Sequence, residues 1–120
     1  MLRKSRNFAV QILQKRRFIY MNQIITDSFD KIEALCKRHS VQSLSVFGSV
    51  LTPQFNPDSD IDFLVHFNTD GIADYVTNYF SLKHSLESEL GRPVDLVEDK
   101  SIRNPIFRRN IDKTKVPLYG

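Results

Sequence analysis

Two aspartates separated by one residue stand directly before an apolar run, and they are the side chains best suited to chemistry. Asp60 and Asp62 flank Ile61 and precede Phe63-Leu64-Val65. Residues i and i+2 of a strand point to one face, so both carboxylates would share a face with their Cα atoms about 6.5–7 Å apart. Carboxylates this close repel each other unless a cation lies between them or one is protonated. The pattern predicts a divalent cation site, and Mg²⁺ is usual where phosphates complete the ligand shell.

Small residues end the strand-like run that comes before these aspartates. Leu44 to Phe47 is followed by Gly48-Ser49, ten residues before Asp60. Without a Cβ at Gly48 a triphosphate can approach the backbone closely, and amides there with the Ser49 hydroxyl could bind its oxygens. The P-loop pattern is absent. The alternative is a solvated turn rich in Pro, Asn, Asp and Ser, in which Ser59 shapes the chain or reaches a phosphate.

Asp95 is the third candidate carboxylate, and the solvated-turn alternative leaves it unexplained. It interrupts the apolar run Val94-Asp95-Leu96-Val97, where an unpaired carboxylate is costly. If this strand neighbours the strand of Asp62, Asp95 lies beside Asp60 and Asp62. A third acid there can hold one metal ion and accept a proton from an attacking hydroxyl.

The elements that must position these residues are predicted from hydrophobic periodicity and from turn and cap residues. They are a helix over 22–39, strands over 41–47 and 61–67, a helix that ends at Gly91, a strand over 93–97, a helix that begins at Asn104-Pro105, and an extended tail over 116–119. This order predicts an α/β (α+β) fold, a small mixed β-sheet with helices packed mainly on one face. Whether the strands of Asp62 and Asp95 run parallel or antiparallel is left open.

Apolar residues at helical spacing predict which helix faces are buried. On the helix that ends at Gly91, we expect one buried face, made of Ile72, Tyr75, Val76, Tyr79, Leu82, Leu86 and Leu90. On the last helix, the apolar side is supplied by Ile106, Phe107 and Ile111.

Charge divides the chain into two parts. Residues 1–20 hold six basic residues and no acid, whereas 21–120 hold eleven basic and fourteen acidic residues. We therefore predict one domain over 21–120 and a basic N-terminal extension over 1–20, which is either disordered or not native to the domain; a transit peptide or a partner-binding helix are alternatives. The mildly acidic body does not support a nucleic-acid-binding face.

Cysteine usage and hydropathy indicate the compartment. Cys36 is the single cysteine, so no intramolecular disulfide can form and a reducing, cytoplasmic location is expected. No apolar run approaches the length of a membrane span, so no membrane partner is expected.

The motif residues resemble a known family. Phe47-Gly48-Ser49, ten residues, and then Asp60-Ile61-Asp62 with its apolar run resemble the motif of the DNA polymerase beta-like nucleotidyltransferases. The short chain, the Asp95 strand after a single helix and the ending Leu118-Tyr119 resemble the minimal nucleotidyltransferase (MNT) family over about residues 22–119. The resemblance implies the polymerase beta-like fold and a catalytic, metal-binding triad of Asp60, Asp62 and Asp95 with two Mg²⁺ ions.

The resemblance also implies an activity and a partner. Family members transfer a nucleotidyl group, most often AMP from ATP with release of pyrophosphate, and many are antitoxins that modify a tyrosine of a HEPN-domain toxin. We therefore expect a metal-dependent protein adenylyltransferase with a HEPN toxin as partner, and with Gly48, Ser49 and Ser59 on the nucleotide side. The alternative is a non-catalytic antitoxin that neutralises its partner by occlusion. Transfer to a small molecule is a weaker option, and an oligomer is left open.

Residues 50–56 depart from the family pattern. Members commonly carry an Arg and a Gly soon after the Gly-Ser, whereas this chain has Val50-Leu51-Thr52-Pro53-Gln54-Phe55. We therefore expect a basic phosphate contact to be missing from this stretch. A basic set near the C-terminus could face a triphosphate or a partner, or could be a solvated face; its members are Arg103, Arg108, Arg109, Lys113 and Lys115.

Overall fold

The structure, a computed structural model, describes residues 23–120. The predicted basic extension over residues 1–20 lies outside the described residues. The regular elements are helices α1 (Gln23–Asp27) and α2 (Phe29–Arg38), strands β1 (Val41–Phe47) and β2 (Ile61–Phe67), helix α3 (Tyr75–Leu90), strand β3 (Val94–Glu98), helix α4 (Pro105–Thr114) and strand β4 (Val116–Tyr119). Short 3₁₀ turns at Gly48–Leu51, Thr69–Gly71 and Asp99–Ser101 follow β1, β2 and β3.

The four strands form one mixed sheet in the order β3-β2-β1-β4. β1 pairs antiparallel with β2 and with β4, whereas β2 and β3 are parallel. A parallel pair needs a crossover connection, and α3 supplies it between β2 and β3. The pairing that the sequence left open is therefore parallel, and the predicted α/β fold with a small mixed sheet is confirmed.

Helices cover the two faces of the sheet unequally. α1, α2 and α3 pack on one face against inward residues of all four strands, among which Leu44, Val46, Ile61 and Phe63 are completely buried. Among residues 23–120, the other face carries a small cluster, in which Ile111 of α4 meets Phe47, Leu64 and Val97. The prediction that helices pack mainly on one face is confirmed, and the described part of the chain leaves the second face less covered than the first.

The predicted helix over 22–39 is divided in two. Within the described residues α1 ends at Asp27 and α2 begins at Phe29, with the buried Ser28 between them. The Ser28 amide donates to the Ile25 carbonyl at 3.2 Å and its carbonyl accepts from Ile32 N at 2.9 Å. Both helices pack their apolar residues into the same core. The spacing of apolar residues therefore continues from one helix into the next, and the sequence gives no sign of the break.

Three apolar residues lie outside the core, contrary to the prediction. Val76 is 64% exposed, Ile106 65% and Phe107 43%. At about 100° per residue, Val76 lies about 80° from the centre of the row formed by Leu82, Leu86 and Leu90, so it stands at the edge of the buried face rather than in its middle. Tyr75 and Tyr79, which the prediction placed in the same row, do pack against the core, as expected.

No helix within residues 23–120 is long and apolar enough to cross a membrane. The cytoplasmic location stays a prediction. Cys36 is fully buried in the core, and burial, assisted by the nearby Glu33 carboxylate, raises the pKa of its thiol to about 12.

Truncation on the two sides of α3 should separate core from surface. We expect Leu86→Ala to lower the free energy of unfolding by about 2–5 kcal/mol, because it removes a fully buried side chain and leaves a cavity. Val76→Ala, on the exposed side of the same helix, should change it by less than about 0.5 kcal/mol. Urea unfolding followed by circular dichroism measures both; a large loss for Val76→Ala would mean that this face is covered in solution.

Candidate active site

The parallel pairing of β2 and β3 brings two of the predicted carboxylates together. The register aligns Asp62 with Asp95. Ile61 and Phe63 on β2, and Val94 and Leu96 on β3, point into the helical layer and are buried, so the two aspartates project from the opposite, partly open face. The structure thus places Asp62 beside Asp95, as the interpretation of the three acids requires.

Asp60 stands just before the first residue of β2 and is exposed. Ile61 is fully buried, so the expected inward turn of this residue between two outward carboxylates is confirmed. The Ile61 amide donates to the Pro93 carbonyl at 3.1 Å, which fixes the chain directly after Asp60 to the segment that leads into β3.

Asp62 is the most buried of the three carboxylates. Asp62 is half-buried, and its pKa is raised to about 6, first by burial and then by the charges of Asp95 and Asp60. Asp95 is exposed, so the expectation that it is the carboxylate in an apolar environment is wrong. β3 is an edge strand of the sheet, whereas β2 lies between β1 and β3. Asp62 on the inner strand is therefore more desolvated than Asp95 on the edge.

Gly48 makes room for Asp62. Its φ is +81°, and a Cβ at this position would overlap Oδ2 of Asp62 and lie 3.2 Å from its Cγ. Phe47, the residue before, pairs directly with Asp62 across the β1–β2 ladder. The sequence interpretation assigned the space above Gly48 to a phosphate, but in the structure the carboxylate itself occupies it.

Ser49 and Ser59, the other predicted nucleotide contacts, lie in the two turns that border the site. Ser49 is half-buried, and its carbonyl accepts hydrogen bonds from Thr52 N at 2.9 Å and Thr52 Oγ1 at 2.8 Å. The Ser59 hydroxyl accepts from Asn56 N at 3.1 Å, and Ser59 N donates to Asn56 O at 3.0 Å. Ser59 therefore closes the Asn56–Ser59 turn ahead of Asp60.

The atypical stretch after Gly-Ser serves the core. Val50 is buried, and Leu51 and Phe55 pack against the main cluster. A cation reaches this stretch from another part of the chain: the Arg92 guanidinium lies 4.4 Å above the centre of the Phe55 ring. Sequence reasoning missed Arg92, because it follows Gly91 at the end of α3 without a pattern that links it to residues 55–59.

Part of the predicted basic set is engaged within the domain. Arg108 donates to Asp99 Oδ1 at 2.6 Å, and Lys115 donates to Asp112 Oδ1 at 3.1 Å. The other three members, Arg103, Arg109 and Lys113, are exposed. Beside them the half-exposed Phe107 meets Phe47 edge to face, with 6.2 Å between ring centres.

The acids fit a hard cation by their chemistry. All three offer carboxylate oxygens, the ligands that Mg²⁺ prefers. Burial raises the pKa of Asp62 first, and the charges of Asp95 and Asp60 add to it; a cation relieves this second contribution. Within residues 23–120, however, no three Asp, Glu, His or Cys side chains already form a set that could enclose a metal ion.

With this geometry in view, comparisons with known proteins define the class. The polymerase beta nucleotidyltransferase family matches residues 30–120, and the chain belongs to this family. The protein adenylyltransferase MntA of Thermococcus cleftensis is 35% identical over 74 residues, which are 62% of this chain and 72% of that protein. The predicted nucleotidyltransferase class is confirmed.

Solved structures share the fold. One assigned as a minimal nucleotidyltransferase superposes with a TM-score of 0.67 at 31% identity over 80% of this chain and 94% of the other. A toxin–antitoxin complex with AMP-PNP gives 0.60 at 26% identity over 77% and 73%. A tri-AMPylated Shewanella oneidensis HEPN toxin in complex with its MNT antitoxin gives 0.57 at 25% identity over 79% and 71%.

Alanine substitution of two glycines should show that Gly48 is required by Asp62. Gly48 and Gly91 both have positive φ, but a Cβ at Gly91 would meet nothing within 4 Å. Gly91→Ala should therefore cost only the backbone strain, about 1 kcal/mol. Gly48→Ala should cost about 1–3 kcal/mol more, because Asp62 must move.

A double substitution completes the comparison, with urea unfolding as the measurement. Asp62→Ala should remove most of the extra cost of Gly48→Ala, because the overlapping carboxylate is gone. Equal losses for the two glycine variants, or an unchanged cost of Gly48→Ala in the Asp62→Ala background, would contradict the close approach.

Proposed function

We propose that this protein transfers AMP from ATP to a hydroxyl group of a partner protein. The observation that carries the proposal is the pair of in-register carboxylates, Asp62 and Asp95, on the open face of a polymerase beta-type sheet. Relatives and structural neighbours named as protein adenylyltransferase and as complexes with AMP-PNP or an AMPylated toxin support adenylyl transfer rather than another nucleotidyl transfer.

We assign Asp60, Asp62 and Asp95 as the residues that would hold two Mg²⁺ ions together with phosphate oxygens. When bound, the cations neutralise phosphate charge and make the α-phosphorus more susceptible to attack. The fit rests on the all-oxygen donor set and on the raised pKa of Asp62. Gly48 and Ser49 lie in the turn beside Asp62, and we assign their backbone and hydroxyl groups to the triphosphate.

The proposed reaction is a single in-line displacement. The acceptor oxygen forms a bond to the α-phosphorus of ATP while the bond from that phosphorus to the pyrophosphate oxygen breaks, and pyrophosphate leaves. The hydroxyl proton passes to Asp95, which is exposed and therefore accessible to a group on another molecule. Asp62 is less exposed than Asp95. We assign it to cation binding and not to proton transfer.

The open face suits a macromolecular acceptor. Within residues 23–120 one core organises the whole sheet, and the face of Asp62 and Asp95 carries only α4 and its small cluster. We propose a tyrosine of a HEPN-domain toxin as the acceptor, in line with the AMPylated toxin in the related complex. The protein would then be an antitoxin that neutralises its partner by covalent modification.

A second candidate function is neutralisation by occlusion without catalysis. The observation that favours it is the stretch after Gly-Ser, where Val50, Leu51 and Phe55 serve the core and supply no basic group for a phosphate. Catalysis requires the Asp62 carboxylate, whereas neutralisation by occlusion does not.

A transfer assay separates the two functions. Wild-type protein, incubated with α-labelled ATP, Mg²⁺ and a cognate HEPN toxin, should label the toxin. Asp62→Asn should lower the initial rate by more than about 100-fold, the scale on which a catalytic carboxylate acts. Asp70→Asn is the matched control, because Asp70 is exposed beyond the other end of β2 and its loss should leave the rate unchanged.

The assay is read together with neutralisation of the toxin. If the wild type transfers no label and Asp62→Asn neutralises the toxin as well as the wild type does, the enzymatic proposal fails and occlusion is the function. Without Mg²⁺, label transfer should fall to background, and a rate that persists in excess chelator would contradict the assigned metal role.

A further inference from the structure

We infer that Arg92 is a positioning residue that ties the turn ahead of Asp60 to the segment that leads to Asp95. Its catalytic consequence rests on the proposed adenylyl transfer, but the anchoring itself can be measured without substrate. Arg92 is not part of the Gly-Ser and Asp-x-Asp motif, and its contacts with the turn alone point to this role.

One guanidinium nitrogen holds the turn at both ends. Arg92 Nη1 donates to the Asn56 carbonyl at 2.9 Å and to the Ser59 carbonyl at 3.0 Å. The same guanidinium lies over the Phe55 ring, and Phe55 packs against the core. A positive group between two carbonyls and an aromatic face makes charge-assisted hydrogen bonds and a cation–π contact at once.

These contacts place Asp60 between two anchors. The residue before it, Ser59, is held through its carbonyl by Arg92, and the residue after it, Ile61, is held through its amide by the Pro93 carbonyl. Both anchors belong to the dipeptide Arg92-Pro93, which directly precedes β3. The same short segment therefore sets the backbone on both sides of Asp60 and starts the strand that presents Asp95.

The connection from Leu51 to Asp60 needs such an anchor. Between the 3₁₀ turn and β2 it has no regular element, and most of its residues are exposed. Its internal hydrogen bonds are local, such as Ser59 N to Asn56 O. Arg92 adds long-range hydrogen bonds, across 36 and 33 residues of sequence. These bonds limit how far Asp60 can move relative to Asp62 and Asp95.

A role as a direct phosphate contact is the alternative, and the geometry disfavours it. The Nη1 atom of Arg92 donates to backbone carbonyls of the turn, and the guanidinium lies over the Phe55 ring. A phosphate ligand at Nη1 would compete with these carbonyls. The two roles separate in kinetics, because loss of a positioning residue lowers kcat, whereas loss of a ground-state phosphate contact raises KM.

The first experiment follows amide hydrogen exchange in the protein without substrate. Arg92→Met keeps an unbranched apolar chain against Phe55 but removes the donors, and exchange at the Ser59 and Ile61 amides should become about tenfold faster, the equivalent of one hydrogen bond to a charged group. Arg38→Met, an exposed arginine at the end of α2, is the control and should leave both amides unchanged. Unaltered exchange at Ser59 and Ile61 in Arg92→Met would overturn the inference.

The second experiment measures steady-state AMP transfer. Arg92→Met should lower kcat about tenfold or more with KM for ATP within about twofold, because the acids are displaced rather than the nucleotide lost. Arg92→Lys, which can donate to the same carbonyls, should recover most of kcat and serves as the test if Arg92→Met does not fold. A tenfold rise in KM with unchanged kcat would overturn the positioning role.

The two experiments keep this inference separate from the proposed function. If the wild type shows no transfer to any acceptor, adenylyl transfer fails, and the exchange result alone decides whether Arg92 anchors the turn. If the wild type is active and Arg92→Met both exchanges faster and loses kcat, the positioning role stands.

Discussion

The register of two parallel strands is the constraint on which the site depends. This register sets Asp62 beside Asp95 on a face that the main helical layer does not cover. Both aspartates lie on neighbouring strands of the one sheet that residues 23–120 form. Burial of Asp62 raises the pKa of its carboxyl, and the charges of Asp95 and Asp60 raise it further. A bound cation is the chemical means of relieving the repulsion between these carboxylates.

Several features elsewhere are explained by this pair. α3 must cross over for β2 and β3 to run parallel, and its buried leucine row holds it against the sheet. Gly48 is needed because the Asp62 carboxylate occupies the space of a side chain. Arg92-Pro93 fixes the backbone on both sides of Asp60. Strand pairing, a glycine and an arginine therefore act on the same few carboxylates from different parts of the chain.

The sequence predicts much of this and misses what depends on long-range contacts. The β1 and β2 ranges and the cap at Gly91 are local patterns, and they are confirmed in the structure. Strand direction, the exposure of Asp95 and the role of Arg92 depend on which elements become neighbours. Val76 and Phe107 are exposed although they stand at helical spacing. Apolar spacing predicts the buried face of a helix as a whole, but it does not decide whether a residue at the edge of that face is buried. The roles of the site residues stay predictions.

The most direct measurement is a titration of the Asp62 carboxyl by carbon-13 NMR, with and without Mg²⁺ and a non-hydrolysable ATP analogue. In the absence of Mg²⁺ and the analogue, the pKa of Asp62 should be about 6, which is above the value in the unfolded chain. Between about pH 4 and 6 the folded state therefore binds more protons than the unfolded state, and it loses stability as the pH rises through that range. Asp95→Asn should lower this pKa, and Mg²⁺ with the analogue should lower it further. A pKa near 4 that neither Asp95→Asn nor Mg²⁺ changes would contradict the account.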